Sequence, residues 1–221
     1  MGGKEYQEIF GHTRYSMKAK NITFFLIGVV AVISIIYSFL GGNDQSAYAE
    51  GINKEREEKD RFMRTSKESP FASNPENYKG LSYFPPDYRY NIIADLTPIE
   101  HKKAVTLATN DGKEQRFIEY AYAEFDLDGY HHKLLILEVS DMGPFRGKLF
   151  FAFGDETSAD ETYGAGRYLD LVKVPGSKTI RLDFNKAYNP YCAYTDKYTC
   201  PLPPTENLLK IPIRAGEKNY H

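Results

Sequence analysis

The chain has 221 residues, with 28 Lys and Arg against 30 Asp and Glu and a formal net charge of −2. That balance provides no basic footprint for nucleic acid, which is excluded as a partner. With 18 Tyr, 14 Phe and no Trp, the aromatic content favours strands over helices, and two cysteines are too few for a disulfide-dense scaffold.

Residues 1–21 are polar, with Lys4, Arg14, Lys18 and Lys20 set against Glu5 and Glu8. The run Ile22 to Leu40 that follows has 19 residues and no charge. At about 1.5 Å rise per residue it nearly spans a hydrocarbon core of ~30 Å. One transmembrane helix is therefore expected, with a buried helix as the alternative. Arg14, Lys18 and Lys20 precede the run, whereas residues 41–51 contain no Lys or Arg. The positive-inside rule then places the N-terminus in the cytoplasm and the rest in the periplasm. This reading gives a single-pass protein of a bacterial inner membrane, with the lipid bilayer as its partner along Ile22 to Leu40. Ala47-Tyr48-Ala49 has the form of a signal-peptidase site, but the apolar run exceeds the usual signal core.

Residues 41–77 read as a linker and a charged stalk. Gly51 to Lys67 sets Ile52, Glu55, Lys59, Phe62 and Met63 near helical spacing, which predicts a short charged juxtamembrane helix with a thin apolar stripe. Ser69-Pro70 and Asn74-Pro75 end any helix, because a residue before proline avoids the α region.

Residues 78–221 form the third part, and here the pattern turns to strands. Strands are predicted over Tyr88–Leu96, Val105–Thr109, Phe117–Leu127, Tyr130–Val139, Lys148–Phe153, Tyr168–Val174, Thr179–Phe184 and Leu208–Arg214. Asp128-Gly129 between two of them is the strongest hairpin signal. The fold class expected is mainly β, an antiparallel sandwich or barrel-like domain preceded by the two helices.

The stretch Thr162-Tyr163-Gly164-Ala165-Gly166-Arg167-Tyr168-Leu169-Asp170-Leu171 is followed by Leu182-Asp183-Phe184-Asn185 and by Ala187 to Tyr194. Cys200-Pro201-Leu202-Pro203-Pro204, Glu206-Asn207 and Ala215-Gly216-Glu217-Lys218 complete a series of motifs in fixed order. Together they resemble the DUF1684 family, a group of prokaryotic proteins of unknown function, over about Tyr78 to Lys218. Tyr78 to Pro85 resembles a shorter form of the family, and the Trp-containing segment of longer members is absent. The resemblance implies a domain type and no chemistry.

Candidate chemistry is sparse. Gly164-Ala165-Gly166-Arg167 lacks the Lys-Ser/Thr of a phosphate loop, so the glycines are expected to allow close backbone approach. Arg167 is expected to pair with Asp170, Asp183 or Glu206, or else to bind an anion. Asp155, Glu156, Asp160 and Glu161 lack calcium-loop spacing and read as a solvated tip. His131 and His132 are adjacent on a strand, point to opposite faces and cannot jointly hold a metal. Cys192 and Cys200 are expected to form a structural disulfide worth on the order of 2–3 kcal/mol. No metal site, cofactor or catalytic set is expected.

A polar pocket with aromatic walls is one reading of Tyr163, Arg167, Asp183, Asn185, Asn189, Glu206 and Asn207 among Tyr188, Tyr191, Tyr194 and Tyr198. The other is that these side chains satisfy irregular backbone. The leading functional expectation is a non-enzymatic, membrane-anchored accessory or interaction subunit, with membrane-complex partners. The alternative is a small polar ligand-binding or hydrolytic domain using Arg167, Asn189 and Glu206.

Overall fold

The computed structural model describes residues 19–140 and 143–220, and in the first helix it describes side chains at 27–30, 32 and from 45 onward. The chain divides after Ser46, and the second unit runs from Ala47 to His221. The expected cytoplasmic segment falls mostly outside the described residues. Helix α1 (Ala19–Thr65) holds both the apolar run and the charged stretch. The expected stalk helix is therefore the last part of α1 and not a separate element.

The membrane anchor is corrected. Among the described residues no helix is long and apolar enough to cross a membrane. With it fall the single-pass topology, the inner-membrane location and the cytoplasmic and periplasmic assignments. The apolar run had been weighed as an element on its own, but it is the front of a 47-residue helix whose later turns are rich in Lys, Arg and Glu. From Tyr48 onward, Tyr48, Ile52, Arg56, Lys59 and Met63 recur every three or four residues on one face of α1, and Ile52 and Met63 are buried. Past the helix end the Ser69 hydroxyl donates to the Met63 carbonyl at 2.5 Å, which satisfies an acceptor the helix itself leaves open.

Antiparallel pairing dominates the rest. β1 (Asn91–Pro98), β2 (Ala104–Ala108), β3 (Glu114–Leu127), β4 (Tyr130–Val139), β5 (Leu149–Phe150) and β8 (Thr179–Asp183) form a six-stranded sheet. Its order is β5-β4-β3-β1-β8, with β2 also on β3. β6 (Ala152–Phe153) and β7 (Arg167–Tyr168) form a second sheet of two strands. The path ends at β5 and β8, so the large sheet does not close as the barrel-like alternative would require. Leu127 faces Tyr130 across Asp128-Gly129, and both loop residues have positive φ, 52° and 82°. This is the turn that matches strand twist.

β4 shows why both faces of the sheet are covered. Leu134 and Ile136 enter a core with Phe125, Phe153, Leu182, Phe184 and Ile213. Leu135 and Leu137 point the other way, into a cluster with Leu107 and Phe117. The alternation is that of any strand; what differs is that neither side is left to water.

Leu208–Arg214 departs from expectation. Ile211, Ile213 and Ala215 alternate inward, yet no strand forms there. The Ile211 carbonyl accepts from Glu156 N at 3.3 Å, and the carbonyls beyond it are taken by a side chain instead of a neighbouring strand. The Arg167 guanidinium donates to Ala215 O, to Ile213 O at 2.8 Å and to Glu217 O at 3.3 Å. It also pairs with Asp155 Oδ2 at 2.8 Å, both side chains being 1% exposed. Asp155 Oδ1 in turn accepts from Thr157 N, Thr157 Oγ1 and Ile213 N. Burial pushes the Arg167 pKa down and Asp155 opposes that shift.

Two stability outcomes follow from this packing. Arg167→Met leaves a buried carboxylate without its partner and should lower unfolding free energy by about 3–5 kcal/mol in urea titration. Gly216 has φ +77°, and an added Cβ would lie 2.6 Å from Ala187 O and 2.7 Å from Phe184 O. Gly216→Ala should therefore cost at least about 1–3 kcal/mol in the same measurement.

Candidate functional site

Ile52, Glu55, Arg56 and Lys59 of α1, with Tyr83 and Asn185–Ala187, line a small half-open cavity of about 90 Å³. Each wall is positioned by a distinct contact. Tyr48 donates to Asp183 Oδ1 at 2.7 Å and accepts from Asn185 Nδ2 at 2.9 Å, holding the helix at one end. Lys59 Nζ reaches Glu217 Oε2 at 3.2 Å and lies over the Tyr188 ring, holding it about three turns further along. Phe84 N donates to Gly216 O at 3.0 Å, which sets Tyr83 beside the helix.

Glu217 is wholly buried, and four donors surround it. Besides Lys59, it accepts from Asn189 Nδ2 at 2.9 Å, Asn189 N at 3.3 Å and the Tyr194 hydroxyl. A buried carboxylate needs such a set of donors to stay in place. Burial, aided by Glu217, pushes the Tyr194 and Tyr83 phenols up, so both remain hydroxyl donors.

The cavity is cationic. Arg56, Lys59 and Lys186 line it, with Glu55 as the acidic lining residue. Lys186 pairs with Glu55 at 2.6 Å and Lys59 with Glu217. Arg56 spends two donors on carbonyls, Phe84 O at 2.9 Å and Asn185 O at 3.2 Å, and stacks on the Tyr83 ring. Its Nε and the Tyr83 hydroxyl are buried and have no hydrogen-bond partner. Burial lowers the Arg56 and Lys59 pKa values, with neighbouring acidic groups opposing.

The residues expected to form a ligand pocket do not converge. Arg167 and Asn189 are engaged inside, on carbonyls, Asp155 and Glu217, although Arg167 Nε and Asn189 Oδ1 stay unpaired. Glu206 is exposed and accepts from its neighbour Thr205. Asn207 closes a gap between β4 and β6, accepting from Leu135 N and donating to Leu135 O and Ala152 O. Asn185 does the same for Asp87, through its N–H and C=O. Asp183 caps the turn after β8. Tyr163 donates to Cys192 Sγ at 3.8 Å. Arg167 pairs with none of the three acids proposed for it but with Asp155, which had been assigned to a solvated tip.

Cys192 and Cys200 do not form the expected bridge in this structure: both are free thiols. They are nevertheless neighbours, the Cys192 amide donating to Cys200 Sγ at 3.3 Å. Among the described residues no group of three or more His, Cys, Asp or Glu could hold a metal ion. A larger groove of about 420 Å³ runs past Gly154, Gly164, Gly166, Pro203 and Leu208. Its two polar side chains are engaged elsewhere, Asp155 on Arg167 and Ser158 on Asp155 N. A Cβ at Gly166 would lie 2.5 Å from Pro203 and 2.7 Å from Phe153 O, so that glycine serves packing.

Sequence reasoning missed Glu217, Arg56 and Tyr83. The only signal for Arg56 was its place one turn beyond the apolar Ile52, on the side of α1 that turns inward.

No curated protein matches the chain. Among solved structures it is similar to an uncharacterized protein of Haloarcula marismortui determined by solution NMR, at 36% identity and a TM-score of 0.59. That match covers 80% of this chain and 96% of the other. The model of DUF1684, described as a protein of unknown function, matches residues 76–218. With the motifs around Arg167, Asn189 and Glu217 all inside that span, the chain belongs to the DUF1684 family.

Proposed function

We propose that this protein is a binding module for a small oxyanion, a carboxylate or an inorganic phosphate, held in the cleft between α1 and the sheet domain. One observation carries the reading: Arg56 and Tyr83 line the same cavity, and Arg56 Nε and the Tyr83 hydroxyl are buried beside it without partners. A buried donor left unpaired costs about 1–3 kcal/mol, and an acceptor supplied by a ligand removes that penalty. Of the three cations lining the cavity, Arg56 is the one whose hydrogen bonds go to no carboxylate. A guanidinium N–H without an acceptor suits an oxyanion. About 90 Å³ is the liquid share of roughly three waters, which limits the ligand to a few heavy atoms.

A second reading, an interaction subunit without catalytic chemistry, is favoured by Val172 and Val174. Both face outward between β7 and β8, 78% and 58% exposed.

Isothermal titration with sodium phosphate and with sodium acetate tests the first reading. At least one should bind in the millimolar range or tighter and raise the melting temperature as its concentration rises. Arg56→Lys keeps the charge but loses Nε and the fork; it should weaken binding about tenfold while the protein still melts cooperatively. Absence of binding heat and of any melting shift with both anions would refute the reading. So would equal affinity in Arg56→Lys. Val172→Ser with Val174→Ser should leave anion binding unchanged and would reduce self-association or partner binding only under the second reading.

A further inference from the structure

We propose that Cys192 and Cys200 form a reversible dithiol–disulfide pair oxidised by a small hydroperoxide, a modification site independent of the oxyanion cleft. The two cysteines come from separately anchored pieces of chain. Cys200 is fixed by the turn after β2, donating its N–H to Asn110 Oδ1 at 2.7 Å and accepting from Asn110 N at 3.1 Å. Cys192 sits in the short turn Tyr191–Ala193. Their meeting is therefore a product of the fold and not of the seven residues between them.

The pair is chemically unequal. The Cys192 amide directs its hydrogen at Cys200 Sγ at 3.3 Å. The Cys192 side chain and amide hold the Cys200 thiol down to about 7, against partial burial. The neighbouring Cys200, together with burial, pushes the Cys192 thiol up. Tyr163, whose own phenol is pushed up to about 12 by burial, donates its hydroxyl hydrogen to Cys192 Sγ. Cys200 is thus the thiolate and Cys192 the reserve thiol, the division expected of a sensing and a resolving cysteine. Cys200 is buried and Cys192 only half-buried, so the oxidant must be small. Hydrogen peroxide fits where a protein disulfide does not.

The chemistry balances in two steps. The Cys200 thiolate attacks one peroxide oxygen, the O–O bond breaks, and hydroxide leaves and takes a proton from solvent. The product is a Cys200 sulfenic acid. The Cys192 sulfur then attacks the Cys200 sulfur, the S–O bond breaks, and the departing hydroxide takes the Cys192 proton. Two thiols are oxidised by two electrons and one peroxide becomes two waters. A thiol reductant reverses the bridge by exchange.

The test uses the full chain treated with hydrogen peroxide, followed by thiol titration and intact mass. Both thiols should disappear together with loss of two hydrogens per chain, and dithiothreitol should restore them. Cys192→Ser should stop at a sulfenic acid that dimedone traps. Cys200→Ser leaves Cys192, whose thiol burial still pushes up; at neutral pH its smaller thiolate fraction outweighs its greater nucleophilicity, so it should react about fivefold more slowly. The wild-type rate should rise with pH through about 7, because the thiolate is the reacting form. Persistence of both thiols would overturn the proposal. Disulfide-linked dimers in place of an internal bridge, or equal rates for the two variants, would do so as well. Unchanged melting of each untreated variant shows that the comparison is between folded proteins.

Discussion

The buried pairing of Arg167 with Asp155 is the constraint on which the C-terminal third of the molecule rests. Ile213, Ala215 and Glu217 need partners for their carbonyls and have no neighbouring strand to supply them. One guanidinium meets all three, and Asp155 neutralises the charge this places in the interior. A buried ion pair is weak evidence of net stabilisation by itself, because desolvation offsets much of the attraction. Its importance here lies in what would remain if one partner were lost. Asp155 would lose its cationic partner in a buried setting, and a run of buried carbonyls would be left open.

Glu217 extends the same logic toward the helix. Its backbone lies against Arg167, while its carboxylate gathers Asn189, Tyr194 and Lys59. Those contacts register α1 on the sheet domain, so the cleft beside Arg56 inherits its geometry from two buried acids. The polar residues thus divide by task. Asn185, Asn189 and Asn207 stand in for missing backbone partners, which is why a polar, Tyr-rich segment can be both irregular and buried. Arg56 and Tyr83 both line the cleft and each keep one buried polar atom unpaired there.

Much of the sheet was legible because strand and turn signals are local. The β3–β4 hairpin follows from alternating apolar residues on either side of Asp128-Gly129, and both turn residues adopt the positive φ that such a turn needs. Elsewhere the same alternation misled. Leu208–Arg214 has the inward–outward pattern of a strand but pairs through a side chain, and periodicity reports which face is buried without reporting what accepts the hydrogen bonds. Lys148–Phe153 was read as one strand and serves two sheets, because Phe151 turns the chain between β5 and β6. The apolar run before Ser46 was judged by its own length, although the helix that contains it continues into a charged half.

By itself, the sequence determined the antiparallel β character, the hairpin register, the family motifs and the absence of any recognisable catalytic signature, since each is written in neighbouring residues. Tertiary structure alone decided that Arg167 meets Asp155, that Glu217 collects Lys59 from 158 positions away, and that Arg56 and Tyr83 share a cavity. Ion pairs and cavities depend on where distant segments cross in space, and spacing along a chain carries no information about which of several acids will lie within reach of a given cation.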